Sequence, residues 1–202
     1  SSHTVYGARS DNPVPLTEKA PLLISEEFPY GYEQFLADQT LDTFSEDHPE
    51  TKVALLRCSP ILGPSAANRL FTLFMQPHPV GTTGCNPSFQ FLHEDDFAKL
   101  LTIFINKELA GVFNVAGNGV IFLNEISEMI SHRIPKLPSY VANPLLVFSQ
   151  LLGIQKSQSP MDLDFLRYPT ILSTGKLEFV SGFRPAYSSL ETMRSYANSV
   201  LY

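Results

Sequence analysis

The sequence predicts an α/β fold built on a parallel sheet, and three observations predict it. Short apolar runs of strand length recur at 53–56, 89–93 and 111–116, and stretches with apolar residues at helical spacing alternate with them. Hydrophobic residues make up 44% of the chain and charged residues 17%, the balance of a globular protein rather than a disordered one. At 202 residues the chain is long enough to bury a substantial core.

The elements follow in order. Segment 11–15 is a proline-punctuated loop. Segment 30–44 lacks proline and carries Phe35, Leu36, Leu41 and Phe44, so it reads as a helix, ended by His48-Pro49. Run 53–56 precedes Arg57 and reads as a buried strand. Gly63-Pro64 is a turn, 66–75 a helix with Leu70, Phe71 and Phe74 on one side, and 76–88 a proline- and glycine-rich loop. Segment 89–93 is a short strand. Asp95 or Asp96 then caps a helix whose Phe97, Leu100, Leu101 and Phe104 share a face.

Segment 111–116 is the next strand, followed by the turn Gly117-Asn118-Gly119 and a helix starting at Asn124 and reaching about Ile130. Pro135 and Pro138 break the chain, 145–152 is apolar and helical, and 155–160 is an exposed loop. A short helix begins at 174–178 and Gly182 stops it. Ser188 or Ser189 caps a last helix.

Composition narrows the function classes. The net charge is −6 and no basic stripe is present, which argues against nucleic acid as a partner. The longest apolar run, 100–105, is far too short to span a bilayer, so no membrane partner is expected. Cys58 and Cys85 have no metal-ligand or CxxC spacing and read as buried reduced thiols, in keeping with a cytoplasmic location. In His93-Glu94-Asp95-Asp96 the aspartates sit where a helix start wants carboxylates, so the cluster reads as a cap rather than a metal site.

Several segments carry chemistry in a recurring order. They are Ser1-Ser2-His3-Thr4-Val5-Tyr6-Gly7, Pro29-Tyr30-Gly31, Leu55 to Pro64 (Leu-Leu-Arg-Cys-Ser-Pro-Ile-Leu-Gly-Pro), Phe91-Leu92-His93-Glu94-Asp95-Asp96, Gly111 to Gly117 (Gly-Val-Phe-Asn-Val-Ala-Gly) and Gly182-Phe183-Arg184-Pro185. Together they resemble the extended short-chain dehydrogenase/reductase family, the NAD-dependent epimerases and dehydratases. The resemblance implies the rear part of a Rossmann-like parallel sheet with a smaller α/β substrate-binding region. It assigns 1–60 and 89–118 to the nucleotide-binding part and 61–88 and 119–202 to the substrate-binding part.

It also implies an acid/base pair. A tyrosine phenolate takes the proton of a substrate hydroxyl while hydride moves to the nicotinamide, and a serine hydroxyl bonds the same oxygen. By motif position these are Ser2 and Tyr30. A lysine one helical turn after the tyrosine would lower its pKa and bind the nicotinamide ribose; Gln34 stands there and lacks the charge. Gln34 and Pro60 are the cofactor-side positions by motif. Sugar-nucleotide members usually have an asparagine at the place of Pro60 and an arginine at the place of Phe89, next to Gln90. Both contact a diphosphate, which needs donors and charge that proline and phenylalanine lack. A small-molecule substrate less polar than a sugar nucleotide is therefore expected.

No Gly-x-Gly-x-x-Gly or Gly-x-x-Gly-x-x-Gly is present, and a dinucleotide fold needs such a turn on the pyrophosphate. The expectation is a C-terminal part of an NAD- or NADP-dependent parent, binding no nucleotide alone. The strands at 53–56 and 111–116 would then leave an apolar edge open to a partner chain or self-association. The alternative is a non-catalytic binding or assembly module derived from that fold, with Gln34 marking lost catalysis. A third reading is an intact enzyme using a Ser2–Tyr30 dyad without lysine.

Overall fold

In a computed structural model, residues 1–66, 81–130, 136–138, 141 and 164–201 are described. Eight short strands pair two by two among them: β1 (Ala54–Cys58), β2 (Ile61–Leu62), β3 (Gly81–Thr82), β4 (Ser88–Phe89), β5 (Leu92–His93), β6 (Gly111–Val115), β7 (Ile121–Phe122) and β8 (Lys136–Leu137). β1 pairs with β6, β2 with β5 and β3 with β8, all parallel; β4 pairs with β7 antiparallel. Five α-helices accompany them: α1 (Pro29–Asp47), α2 (Glu94–Lys107), α3 (Leu123–Met129), α4 (Gly175–Ser181) and α5 (Ser189–Leu201). The mixed α/β architecture with parallel pairing is the one the sequence predicts.

The β1–β6 pair is the centre. Its register sets Leu55 beside Val112 and Arg57 beside Asn114. One face packs on α2, where Cys58, Leu92, Leu100, Phe104, Phe113 and Val115 form a core with Leu177 of α4 and Phe183. A second core gathers Phe89, Phe91, Ile121, Ile126 and Leu166 under Met193 and Tyr196 of α5. A third lies around Val5, Tyr6, Leu16, Ala116 and Leu172, below the N-terminal segment.

Local chemistry explains the boundaries. Proline opens α1, where its missing N–H costs nothing, and His48 ends it. Gly182 stops α4 in the left-handed region at φ 71°, which glycine adopts without strain. Ser188 caps α5: its hydroxyl accepts from the Glu191 N–H at 3.2 Å, and the Glu191 carboxylate accepts from the Ser188 N–H at 2.8 Å.

Four expectations need correction. Segment 89–93 is not one strand; Phe89 pairs antiparallel with Ile121, Leu92 pairs parallel with Ile61, and Gln90 and Phe91 bridge them. The bridge is held elsewhere: Gln90 exchanges two hydrogen bonds with the Leu172 backbone, and the Phe91 N–H donates to Ser189. His93, not an aspartate, caps α2, its Nδ1 accepting from the Asp95 N–H at 3.2 Å. Asp96 is buried and accepts instead from the Tyr187 N–H. α3 starts at Leu123, with Asn124 bonded to Asn86 in the loop between β3 and β4. The strand expected at 53–56 runs on through Arg57 and Cys58, because their neighbours in β6 continue the ladder. The helices expected at 66–75 and 145–152 and the loop at 155–160 lie outside the described residues, Ala66 excepted.

Candidate active site

Ser2 lies at the outer edge of β1. It forms a parallel bridge with Cys58, and the Cys58 N–H donates to the Ser1 carbonyl at 3.5 Å. Residues 3–6 then turn in a single 3-10 turn, His3–Tyr6. Ser2 is buried, and its Oγ accepts from the Thr4 N–H at 3.3 Å and from the Thr4 hydroxyl at 3.0 Å. His3 Nδ1 lies 3.4 Å from the same Oγ, so the Ser2 hydroxyl has a third partner within the protein.

Tyr30 is in the first turn of α1 and half-buried. Its ring meets Phe28 edge-on at 6.2 Å; Phe28 packs on Phe165 at 5.1 Å, and Phe165 meets His3 edge-on at 6.1 Å. An aromatic row thus links the helix start to the residue beside Ser2, and these contacts favour fixed ring positions. Among the described residues no hydrogen bond joins Ser2 to Tyr30. Gly31 lets α1 approach this row: a Cβ there would stand 2.6 Å from Phe28 and 2.9 Å from Ile24.

Gln34 is half-buried one turn further along α1. Pro60 is buried, and its carbonyl accepts from the Leu92 N–H at 3.0 Å. Phe89 is in the core under α5, and the Gln90 amide is engaged with Leu172. None of these four positions presents a cation to a ligand.

Beneath Ser2 and Tyr30 runs a buried polar network that sequence reading missed. Arg57 Nε donates to Asp38 at 2.8 Å, and both side chains are almost wholly buried. Arg57 Nη1 donates to the Tyr6 hydroxyl at 3.2 Å and to the Glu18 carbonyl at 3.3 Å. Tyr6 donates to Asn114 Oδ1 at 2.7 Å, and Asn114 Nδ2 donates to the Leu16 carbonyl at 3.0 Å. Burial opposes the charge on Arg57, but its bonds to Tyr6 and Asp38 more than offset this and hold it above its ordinary pKa. Burial likewise raises the Tyr6 phenol, against the lowering effect of Arg57. A signal existed: Tyr30, Gln34 and Asp38 fall at i, i+4 and i+8 on one helix face, and Arg57 sits in an apolar strand.

Two further groups are tuned by burial. His3 is pushed down to about 4, partly countered by a bond to the Cys58 backbone, and so is neutral at pH 7. The Cys58 thiol is pushed up to about 12. His93 stacks on Tyr187 at 3.9 Å, and its Nε2 lies 3.1 Å from the Ser195 hydroxyl. Its ring serves α2 and α5, and no cluster of three or more metal-ligating side chains occurs among the described residues.

A nicotinamide cofactor is what the family resemblance implies. The residues suit only one end of it: Ser2, Tyr30 and the Gln34 amide can meet a nicotinamide ribose and a substrate oxygen, whereas no glycine-rich turn is present for the pyrophosphate.

No family model matches the sequence. Uncharacterized proteins of Mycobacterium bovis and Mycobacterium tuberculosis are 22% identical over 205 aligned positions, covering 97% of this chain and 52% of theirs. The chain therefore spans about half the length of the curated relatives it matches. Among solved structures, a UDP-glucose 4-epimerase from Bifidobacterium longum in complex with NAD+ and UDP aligns at TM-score 0.69 and 19% identity, over 98% of this chain and 61% of that one. A UDP-galactose 4-epimerase aligns at 0.68 and 16% over 100% and 61%. A dTDP-glucose 4,6-dehydratase from Bacillus anthracis in complex with NAD aligns at 0.66 and 16% over 98% and 59%. Over the share of their length that it spans, this chain has the Rossmann-like α/β fold of these epimerases and dehydratases.

Proposed function

We propose that the chain is part of an NAD- or NADP-dependent epimerase, dehydratase or reductase acting at a hydroxyl or carbonyl carbon. Ser2 and Tyr30 hold the reacting oxygen. The observation that carries this reading is the environment of Ser2: a buried hydroxyl that accepts twice from Thr4 lies 3.4 Å from His3 Nδ1, and a substrate oxygen competes with that nitrogen for its one proton. Tyr30, at the far end of the His3–Phe165–Phe28 row, is the group for proton transfer. Residues 1–60 and 89–118 belong to the nucleotide side and 61–88 and 119–202 to the substrate side. The substrate is less polar than a sugar nucleotide, because Pro60 and Phe89 are spent on packing and offer no donor.

The edge of β1 supports the same reading. Val53 and Ser59 direct their backbone groups to β6, accepting from Gly111 and donating to Val115. Alternation along the strand turns the N–H and C=O of Ala54 and Leu56 to the other side, where Ser1 and Ser2 occupy only the Cys58 end. Beside this edge a groove of about 520 Å³ opens between β1 and α2, lined by Ala54, Leu56, Leu101, Phe104, Ile105 and Leu109. The nucleotide-binding half is what this edge accommodates.

The test is turnover of the chain joined to a glycine-rich nucleotide-binding half, followed by nicotinamide absorbance with a panel of apolar secondary alcohols and ketones. Replacing Tyr30 by Phe is expected to lower the rate by a factor of order 10² to 10⁴, the usual worth of a positioned acid/base group; unchanged turnover would refute the role. Calorimetry of the 202-residue chain alone is expected to show no tight binding of NAD or NADP. The second reading, a non-catalytic assembly module, rests on Gln34. A joined protein that turns over at neutral pH excludes it. One that turns over only after Gln34→Lys supports it.

A further inference from the structure

We infer that Arg57 is a positioning residue of the proposed active site: its guanidinium joins the turn that carries Ser2 to the helix that carries Tyr30 and so fixes their separation. The inference rests on the reading of those two residues as the reacting pair. Three elements meet at Arg57. It stands in β1 one residue before Cys58, which pairs with Ser2. Its Nη1 donates to the Tyr6 hydroxyl at 3.2 Å, and Tyr6 closes the 3-10 turn that Ser2 caps. Its Nε donates to Asp38 Oδ2 at 2.8 Å, and Asp38 lies on α1 two turns after Tyr30, about 12 Å along the axis.

α1 depends on this bond for its placement. Gly31 and Asp38 are the two buried residues among its 19. Gly31 has no side chain to key into a neighbour, so Asp38 is the one buried side chain that α1 contributes. Seven positions apart, Gly31 and Asp38 fall within about 20° of one line along the helix, and Tyr30 adjoins that line. A slide or rotation of α1 at Asp38 therefore displaces Tyr30 relative to Ser2. Among the described residues no hydrogen bond joins Ser2 to Tyr30, so their spacing is set from beneath. The other end is fixed as well: Tyr6 is wholly buried, and its hydroxyl donates to Asn114, the register partner of Arg57 in β6. Spanning Asp38, Tyr6 and the Glu18 carbonyl takes the planar fork of an arginine; the point charge of a lysine does not reach all three.

Removing one partner strands a buried charge, so the test replaces both. Asp38→Leu with Arg57→Met puts apolar groups in place of the pair and should leave the urea midpoint at or above its original value. In the chain joined to a nucleotide-binding half, kcat is expected to fall by a factor of order 10², the effect of about 1 Å of misplacement, while KM changes by less than roughly threefold. Unchanged kcat beside a large loss in Tyr30→Phe overturns the positioning role and leaves the catalytic reading standing; an inert Tyr30→Phe sinks that reading instead. The 202-residue chain gives a second answer without turnover. With 3-fluorotyrosine at its eight tyrosines, the Tyr30 fluorine signal is assigned by its loss in Tyr30→Phe. That signal is expected to shift or split in the double variant and in Arg57→Lys, which keeps a cation beside Asp38 and gives up the fork. Asp42→Asn, exposed one turn beyond Asp38, should leave it in place. A Tyr30 signal unmoved by both changes overturns the proposal, as does one that Asp42→Asn moves equally far.

Discussion

Asp38 and Arg57 show how much one pair of residues holds. The pair is almost wholly buried, so the Arg57 charge is tolerable only with its partner in place. Asp38→Ala leaves that buried cation with only neutral partners, the Tyr6 hydroxyl and the Glu18 carbonyl, and is expected to cost about 3–5 kcal/mol, read as a lower midpoint in urea unfolding. His3 makes a second prediction. Its pKa falls from 6.5 to about 4 on folding, so below pH 6.5 the unfolded chain binds the extra proton. This contribution to stability is fully present above pH 6.5 and is lost as the pH falls toward 4, by an amount of order 3 kcal/mol. Urea unfolding at a series of pH values should show that slope, and His3→Gln should flatten it. Ser2 and Tyr30 were legible as motif positions. The contacts of the Ser2 hydroxyl with Thr4 and His3 were not, because they depend on a turn that only the fold reveals.

Elements differ in how much of them could be read ahead. α1 was legible because no proline interrupts it between Pro29 and His48-Pro49, and β6 because an apolar run stands between Gly111 and Gly117. The segment after Ser88 was not, since its apolar residues belong to two different ladders and periodicity does not record a change of partner. The cap of α2 was misread for a related reason: three acidic residues follow one another, and only geometry picks out His93. The Ser188 cap was legible. Ser188→Ala removes the acceptor for the Glu191 N–H and is expected to lower the thermal midpoint by the equivalent of about 1 kcal/mol. Gly117 is tighter. Its added Cβ would stand 2.2 Å from the Phe91 carbonyl, so Gly117→Ala should disturb the junction of β5 and β6 and lower the midpoint further.

Across the whole molecule, the three cores divide the described residues between the β1–β6 pair, the α5 side and the N-terminal segment. No helix among the described residues is long and apolar enough to cross a membrane. The fold class was legible because strand and helix patterns alternate along the chain. The aromatic row was not, since His3, Phe28 and Phe165 come from distant parts of the sequence. The groove beside β1 gives the prediction at this scale. Ile105 is 75% exposed on its rim, next to Leu101. The chain by itself is expected to self-associate there with rising concentration, and Ile105→Lys should reduce the light scattering without altering the fold.

The Ser1–Cys58 hydrogen bond has one more consequence. It acts as a ratchet tooth for any strand joined ahead of Ser1. Such a strand enters beside β1 with its phase already chosen, and side chains alternate across it two by two. A single residue inserted at the junction would carry every apolar side chain of that strand to the opposite face. Two inserted residues would restore the phase and shift the strand by one repeat. The order of tolerance, two better than one, is set by the pairing of Ser1 and Ser2 with Cys58.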